Sequence, residues 1–163
     1  MKNTILLLFI FSLFTLGSCE ELLKDTDLNP IYYVECEIDN ESFRAQTNNN
    51  AWLIWFAHLG DQYEVIGQNT PKDMQINLTL FRQLGETTIQ AGTEVNTYLT
   101  NISYFHDNKT YHALEAGGSG FVNVESLSDT EARGTFQAIL VNRKDNTDIK
   151  KITNGEFYVK TRN

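Results

Sequence analysis

The stretch Gln75-Ile76-Asn77-Leu78-Thr79-Leu80-Phe81 decides the fold class, because polar and apolar residues alternate along it without a break. Alternation with a period of two places Ile76, Leu78 and Leu80 on one side of an extended chain and the polar residues on the other. A strand with one apolar and one polar face is typical of an antiparallel sheet. The stretch therefore predicts a strand that lies with one face on a hydrophobic core.

The same period recurs on both sides of this strand, and no segment shows the sustained 3.6-residue period of an amphipathic helix. Turn-forming residues such as Asp39-Asn40 and Gly60-Asp61 separate the segments. The predicted strands are 32–38, 43–46, 51–57, 63–68, 75–81, 87–90, 98–105, 111–114, 120–127, 134–142 and 152–160. About ten short strands at hairpin-like spacing predict a single all-β domain, an antiparallel β-sandwich or barrel.

Two segments are harder to interpret. Residues 51–57 are apolar on both faces, so they fit either a buried strand or a short helix, and periodicity does not separate the two. Residues 143–148 are mostly charged or polar and predict a hairpin loop before the last strand.

The first nineteen residues have the composition of an export signal. Lys2 precedes the apolar run 5–11, and Leu16-Gly17-Ser18-Cys19 follows. This pattern is typical of a removable signal peptide and is too short to span a bilayer comfortably. Leu16-Gly17-Ser18-Cys19 closely resembles the lipobox of bacterial lipoproteins. The resemblance implies that residues 1–18 are removed and that Cys19 carries the lipid. Residues 19–30 show no alternating pattern, so they predict a flexible tether to the domain 31–163.

An acidic pair, Glu20-Glu21, directly follows the lipobox cysteine. It resembles the surface-export signal of Bacteroidota lipoproteins, which implies an outer-membrane lipoprotein displayed on the cell surface. The alternative is that the acidic residues only form a solvated linker and that the protein is retained on the periplasmic face of the outer membrane.

The C-terminal third carries a second resemblance. Residues 120–124, Gly134-Thr135-Phe136 and Thr153-Asn154-Gly155-Glu156-Phe157 occur in this order. They resemble the last strands of a family of small Bacteroidota outer-membrane lipoproteins of unknown function, and residues 38–45 are similar to its first hairpin. The middle of the chain has no counterpart. The resemblance implies an order of strands and no catalytic or binding residue.

Charge and cysteine content exclude several classes of function. The chain has 13 Lys and Arg against 21 Asp and Glu, a formal net charge of −8. Nucleic-acid binding needs a basic stripe, so no nucleic-acid partner is predicted. With Cys19 taken by lipid, Cys36 has no disulfide partner. The alternation around Cys36 places it on one strand face with Val34 and Ile38, as a small buried hydrophobe.

Catalytic and metal-binding patterns are weak. His106 and His112 flank a predicted turn and would face each other across a hairpin, whereas His58 is remote in sequence. Their spacing is no known ligand motif, so no metal and no cofactor are predicted. The chain also lacks the Gly-x-Ser-x-Gly elbow of a serine hydrolase. No catalytic residue is therefore assigned.

Aromatic side chains are the strongest binding signal, and Trp52 and Trp55 are its leading members. Exposed aromatics form stacking platforms for sugars, whereas buried ones fill the core. We therefore expect a lipid-anchored, non-enzymatic binding or interaction domain on the cell envelope. Its partners are the membrane, through the lipid on Cys19, and a glycan or an envelope protein. The alternatives are a structural or assembly accessory of an envelope complex and, more remotely, a small hydrolase.

Overall fold

The alternation in the deciding stretch is realised in a strand, Met74–Phe81, of the computed structural model. Ile76, Leu78 and Leu80 are at most 1% exposed, and the residues between them are half-buried on the other side. The structure describes residues 31–46, 50–56, 62–91 and 100–161. The predictions for residues 1–30, including lipidation of Cys19, lie outside these ranges.

The described chain is almost entirely extended. It contains one short 3-10 turn, Thr70–Lys72. The strands are β1 Tyr33–Ile38, β2 Glu41–Gln46, β3 Ala51–Phe56, β4 Gln62–Asn69, β5 Met74–Phe81, β6 Gly85–Gln90, β7 Asn101–His106, β8 Lys109–His112, β9 Ser119–Leu127, β10 Glu131–Asn142 and β11 Asp145–Lys160. Each pairing between these strands is antiparallel. The predicted all-β antiparallel fold is confirmed.

The strands form one sheet in the order β2-β1-β11-β10-β8-β7-β5-β4-β3, with β9 pairing β10 and β6 pairing β9. Strand β10 joins the two halves of the sheet. Its first part pairs with β9, and its last two residues, Val141 and Asn142, pair with β8. Among the described strands this path starts at β2 and stops at β3, so the sheet is not closed.

The two halves of the sheet pack face to face across one core. Gly67 on β4 lies so close to β1 that an added β-carbon would be 2.6 Å from the Cβ of Val34. Alternate residues of both halves point into the space between them. The largest fully buried side chains there are Tyr63, Tyr104, Phe43, Phe136 and Phe157. Burial of this apolar surface is the main force that holds the halves together.

The β1–β2, β7–β8 and β10–β11 turns meet at one end of the domain, which we call the distal end. The carboxylate of Asp39, in the β1–β2 turn, accepts a hydrogen bond from Lys150 at 2.8 Å. Lys109, after the β7–β8 turn, donates to Asp148 on β11 at 2.8 Å. Tyr33, where the chain enters β1, is at the other end of that strand. The domain therefore has an entry end and a distal end.

Two of the sequence interpretations are now settled. Residues 51–56 form the strand β3 rather than a helix. The predicted loop 143–148 is wrong, because β11 already begins at Asp145, which pairs with Asn142. The turn is only Arg143-Lys144, closed by a hydrogen bond from the Lys144 N–H to the Asn142 side chain at 2.9 Å. The tip of this hairpin is exposed on both faces, so its residues need not alternate.

Candidate binding face

A row of side chains crosses one half of the sheet on the side away from the core. Trp52 pairs with Ile66, and Ile66 pairs with Asn77. Asn77 pairs with Ser103, and Ser103 pairs with His112. Directly paired residues point to the same side of a sheet, so these five side chains share one face. We call this outward surface of β3, β4, β5, β7 and β8 the polar face.

Most of the polar face consists of hydrogen-bonding side chains that are buried or half-buried. Gln75 donates from Nε2 to Asn77 Oδ1 at 2.7 Å. Asn77 in turn donates from Nδ2 to Glu64 Oε1 at 2.8 Å. Burial raises the pKa of Glu64, and the hydrogen bond from Asn77 partly opposes that shift. This chain of contacts fixes the orientation of both amides and holds the carboxylate in place.

A second chain of hydrogen bonds runs across β7 and β8. Asn101 Nδ2 donates to Ser103 Oγ at 3.1 Å, and Ser103 Oγ lies 2.9 Å from His112 Nδ1. Burial lowers the pKa of His112; Glu115 opposes this shift, and Arg143 reinforces it. We therefore assign His112 as neutral, with Nδ1 accepting from the Ser103 hydroxyl and the proton on Nε2.

One acceptor on this face lacks a partner. Asn101 Oδ1 is buried and has no hydrogen bond within the described part of the chain. Most buried polar atoms in proteins are satisfied, and an unsatisfied one costs free energy unless water or a ligand supplies the donor. Asn101 Oδ1 is shielded from solvent, so a donor could reach it only if the side chain turned or its surroundings opened.

The polar face ends in a hollow of about 290 Å³ near the distal end. Gln68, Gln75, Phe105 and Thr110 form one row across the sheet and contribute the sheet side of this hollow. The turn side includes Asp73, His106 and Asp107. The Phe105 ring is half-buried and meets the His112 ring edge-on, with centroids 6.4 Å apart. We call this hollow the distal hollow.

The chemistry of the face suits recognition better than catalysis. Amides and a carboxylate offer directional donors and acceptors, and Trp52 and Phe105 offer apolar rings beside them. The Ser103–His112 contact has the residue types of a nucleophile and its base. However, Ser103 is only 7% exposed, and no described carboxylate is hydrogen-bonded to His112. The contact therefore gives the Ser103 hydroxyl and the His112 ring a hydrogen-bond partner within the sheet.

The structure places one of the two predicted tryptophans on this face. Trp52 is half-buried there, beside Ile66. Trp55 lies three residues further along β3 and pairs with Tyr63, so its position belongs to the opposite face of the strand. The side chain of Trp55 lies outside the described part of the structure, as does Cys19.

Cys36 is buried as its strand pattern predicts. It is 5% exposed and shares the inward face of β1 with Val34 and Ile38. Burial raises the pKa of its thiol to about 12, and Glu37 and Glu35 add to the shift. Only the thiolate is a strong nucleophile, so Cys36 is an inert packing residue.

The idea that His106 and His112 face each other across a hairpin is wrong. The two-residue turn Asp107-Asn108 pairs His106 with Lys109, whereas His112 pairs with Ser103. The two imidazoles therefore lie on opposite faces of the sheet. His58 lies outside the described residues. Within the ranges that the structure covers, no group of three or more His, Cys, Asp and Glu side chains could hold a metal ion.

Sequence reasoning did not select Glu64, Asn77, Asn101 or Ser103 as site residues. Each stands at a polar position of an alternating strand, where polar residues normally face water. Their importance arises from pairings between strands that are distant in sequence, such as β5 with β7. One sequence signal could have drawn attention to them. Amide side chains are more frequent in this part of the chain than hydroxyl side chains or charged side chains.

Comparisons of the chain with models of protein families, with curated proteins and with solved structures gave no match. In the part of the chain that the structure describes, we find no helix of the length and apolar character that a membrane span requires.

Proposed function

We propose that the protein is a lipid-anchored lipoprotein of the bacterial outer membrane whose all-β domain binds a glycan at the polar face without catalysing a reaction. The anchor is argued from Leu16-Gly17-Ser18-Cys19 alone, and display on the cell surface from Glu20-Glu21. Two or more acyl chains on one cysteine provide stable membrane attachment, because each buried methylene contributes about 0.8 kcal/mol. Protease added to intact cells tests the surface location, since it would leave a periplasmic domain uncut.

The observation that carries glycan binding is the hydrogen-bonded chain Gln75–Asn77–Glu64 on the same face of the sheet as Trp52. Sugar hydroxyls need donors and acceptors held in fixed directions, and their ring faces stack on aromatic side chains. The polar face offers both on one rigid sheet, where neighbouring strands fix the backbone of every contributing residue. Sites on strands are held more precisely than sites on loops.

Membership of the small Bacteroidota lipoprotein family is part of the same proposal. Its support is the structural role of the shared motifs. Gly134 pairs with Phe157, and Gly155 pairs with Phe136, so the two motifs form one interlocked pair of strands. Such a unit explains why the motifs occur together without any shared chemistry.

The test uses the purified full chain in detergent. A glycan array followed by calorimetric titration identifies a ligand and its affinity. Trp52→Ala should weaken binding about two- to tenfold, which corresponds to the roughly 0.5–1.5 kcal/mol of one aromatic contact. Gln137→Ala, at an exposed position of β10 on the other half of the sheet, is the matched control and should leave affinity unchanged. Equal affinity of Trp52→Ala and wild type would contradict the proposal, as would failure of every glycan to bind.

A small hydrolase is the second candidate, and the 2.9 Å contact between Ser103 and His112 is the observation that favours it. An activated serine reacts with fluorophosphonate probes. Labelling that disappears in Ser103→Ala would support the hydrolase, whereas the binding proposal expects no labelling. A structural or assembly accessory is the remaining alternative. It would bind no glycan and would co-purify with a defined envelope complex.

A further inference from the structure

A hollow of about 250 Å³ opens between two groups of strands that do not pair with each other. One side is formed by the end of β5 and by Thr100 directly before β7, and the other side by β6 with its partner β9. Among the described strands, β6 pairs only with β9, so no ladder of hydrogen bonds closes the hollow. We call it the inner hollow. A molecule could enter it without breaking a strand pairing.

The inner hollow is backed by the hydrophobic core. Leu80 on β5 and Val122 on β9 form part of its lining and are at most 1% exposed, and Ile89 on β6 is buried as well. Phe81 and Leu114 also line it and are only half-buried. These two side chains are therefore the apolar surfaces that an occupant would contact, with the core packed behind them.

Polar but uncharged groups complete the lining. Thr87 and Thr100 are half-buried, and Gln83 and Thr88 are exposed. Their hydroxyl and amide groups can both donate and accept hydrogen bonds. No residue that lines the inner hollow in the described structure is charged, although 21% of the chain is Asp, Glu, Lys or Arg. A charged ligand would lose hydration there without gaining an opposite charge from the lining.

The volume of the inner hollow limits the size of its occupant. A dry apolar cavity of about 150 Å³ in another protein accepts benzene, which has six carbon atoms. In proportion, a hollow of about 250 Å³ accepts a molecule of about ten non-hydrogen atoms. A sugar ring of that size would bring several hydroxyl groups against Phe81 and Leu114, so the lining favours a largely apolar molecule instead.

We propose that the inner hollow binds a compact, uncharged and largely apolar molecule, whose body packs against Phe81 and Leu114 and whose single hydroxyl or similar group meets Thr87 or Thr100. The site is separate from the polar face, because it is backed by the inward residue Leu80, whereas the polar face is the outward surface of the sheet. The two sites therefore take ligands of different chemistry and do not depend on each other.

A series of linear alcohols tests the proposal. Equilibrium dialysis of the purified full chain against the same detergent buffer measures the excess of alcohol on the protein side. From 1-butanol to 1-octanol the affinity should rise about fourfold for each added methylene, the effect of burying one such group. It should level off by 1-dodecanol, which is longer than the hollow allows. Octanoate should bind at least tenfold more weakly than 1-octanol, because its carboxylate loses hydration.

A filled hollow and a matched exchange elsewhere locate the binding. Thr87→Phe places a ring in the inner hollow and should lower the affinity for 1-octanol at least tenfold. Thr135→Phe makes the same exchange at a half-buried position of β10 outside the hollow and should leave the affinity unchanged. Melting curves show whether both variants are folded.

Nuclear Overhauser effects on the wild-type chain locate the alcohol without any substitution. The methyl group of 1-octanol should give strong effects at the Leu114 methyl groups and none at Ile149, which is 48% exposed on β11. Equal effects at both residues would overturn the proposal, as would an affinity that does not depend on chain length or that is equal for octanoate. Each of these results would leave glycan binding, which Trp52→Ala tests, unaffected.

Discussion

Gly134 on β10 and Phe157 on β11 are direct cross-strand partners, and the phenyl ring lies against the glycine. A β-carbon at position 134 would be 2.7 Å from Phe157 Cζ. Two residue pairs further along, Gly155 pairs with Phe136, and a β-carbon at position 155 would be 2.8 Å from the Phe136 ring. The two rings lie 6.4 Å apart between centroids. Each strand thus gives one ring and one glycine to a shared core contact.

This contact predicts the effect of Gly134→Ala. The added methyl group would clash with the Asn123 carbonyl oxygen on β9 as well as with the buried Phe157 ring, so the strand and the ring must both shift. Overpacking of this kind costs about 1–3 kcal/mol. Urea unfolding followed by tryptophan fluorescence measures the loss. Gly85→Ala, at an open position on β6 with a positive φ, is a comparison that tests backbone strain without a clash. Wild-type stability of Gly134→Ala would contradict the packing described here.

Asp148 predicts an acid-dependent loss of stability. Its Oδ2 accepts from Lys109, Tyr111 and Asn142, at 2.8, 3.0 and 3.0 Å. The hydrogen bonds from Lys109 and Asn142 lead the causes that lower the pKa of Asp148 to about 2. Because the folded pKa is below the unfolded value of roughly 3.9, the stabilisation is complete above pH 4 and is lost as the pH falls toward 2.

Asp148→Asn should therefore be less stable than the wild type at neutral pH, and the difference should shrink between about pH 4 and pH 2. Melting curves across this range measure it. Glu86→Gln, exposed on β6, is the control and should follow the wild type. A difference that stays constant down to pH 2 would show that the carboxylate charge contributes nothing.

His112 predicts a second pH effect in a higher range. Burial lowers its pKa in the folded protein, so the unfolded chain binds the proton first. Stability should be full above about pH 6.5 and should decline as the pH falls toward the folded pKa. His112→Asn keeps an acceptor for Ser103 without a titrating group and should flatten this part of the curve. NMR titration of the imidazole measures the pKa of His112 directly, and an unshifted or raised pKa would contradict this prediction.

Cys36 predicts the pattern of thiol labelling. With Cys19 lipidated or replaced by Ala, the native protein should not react with a thiol reagent, because the Cys36 thiol is buried and its pKa is about 12. In urea one thiol per chain should become reactive. Rapid labelling of the native protein would mean that β1 opens readily or that the core is packed differently.

Cys19→Ala tests the anchor. The variant should lose incorporation of labelled fatty acid and leave the membrane fraction, because the lipid is the proposed attachment. Ser18→Ala keeps a small residue before the cysteine and should still be acylated. Membrane fractionation of Cys19→Ala that matches the wild type would refute the proposed anchor.

The fold was predictable to the extent that one face of each strand is buried. Residues 75–81 alternate because the core requires it, and β1 places Cys36 inward for the same reason. The start of β11 at Asp145 was not predictable, since the hairpin tip lies in water on both sides. The polar face was predictable only at Trp52. The partnership of Asn77 with Ser103 depends on pairing between distant strands, which local periodicity does not encode.

The position of β1 determines how the domain bears mechanical load. The chain enters at Tyr33, and β1 is held on one side by β2 and on the other by β11. Tension between the entry end and a ligand near the distal hollow would run along the axis of β1. The hydrogen bonds of both ladders would then be sheared together instead of being opened one after another. A domain that is pulled along a strand paired on both sides resists extension more strongly than one that is pulled from an edge strand.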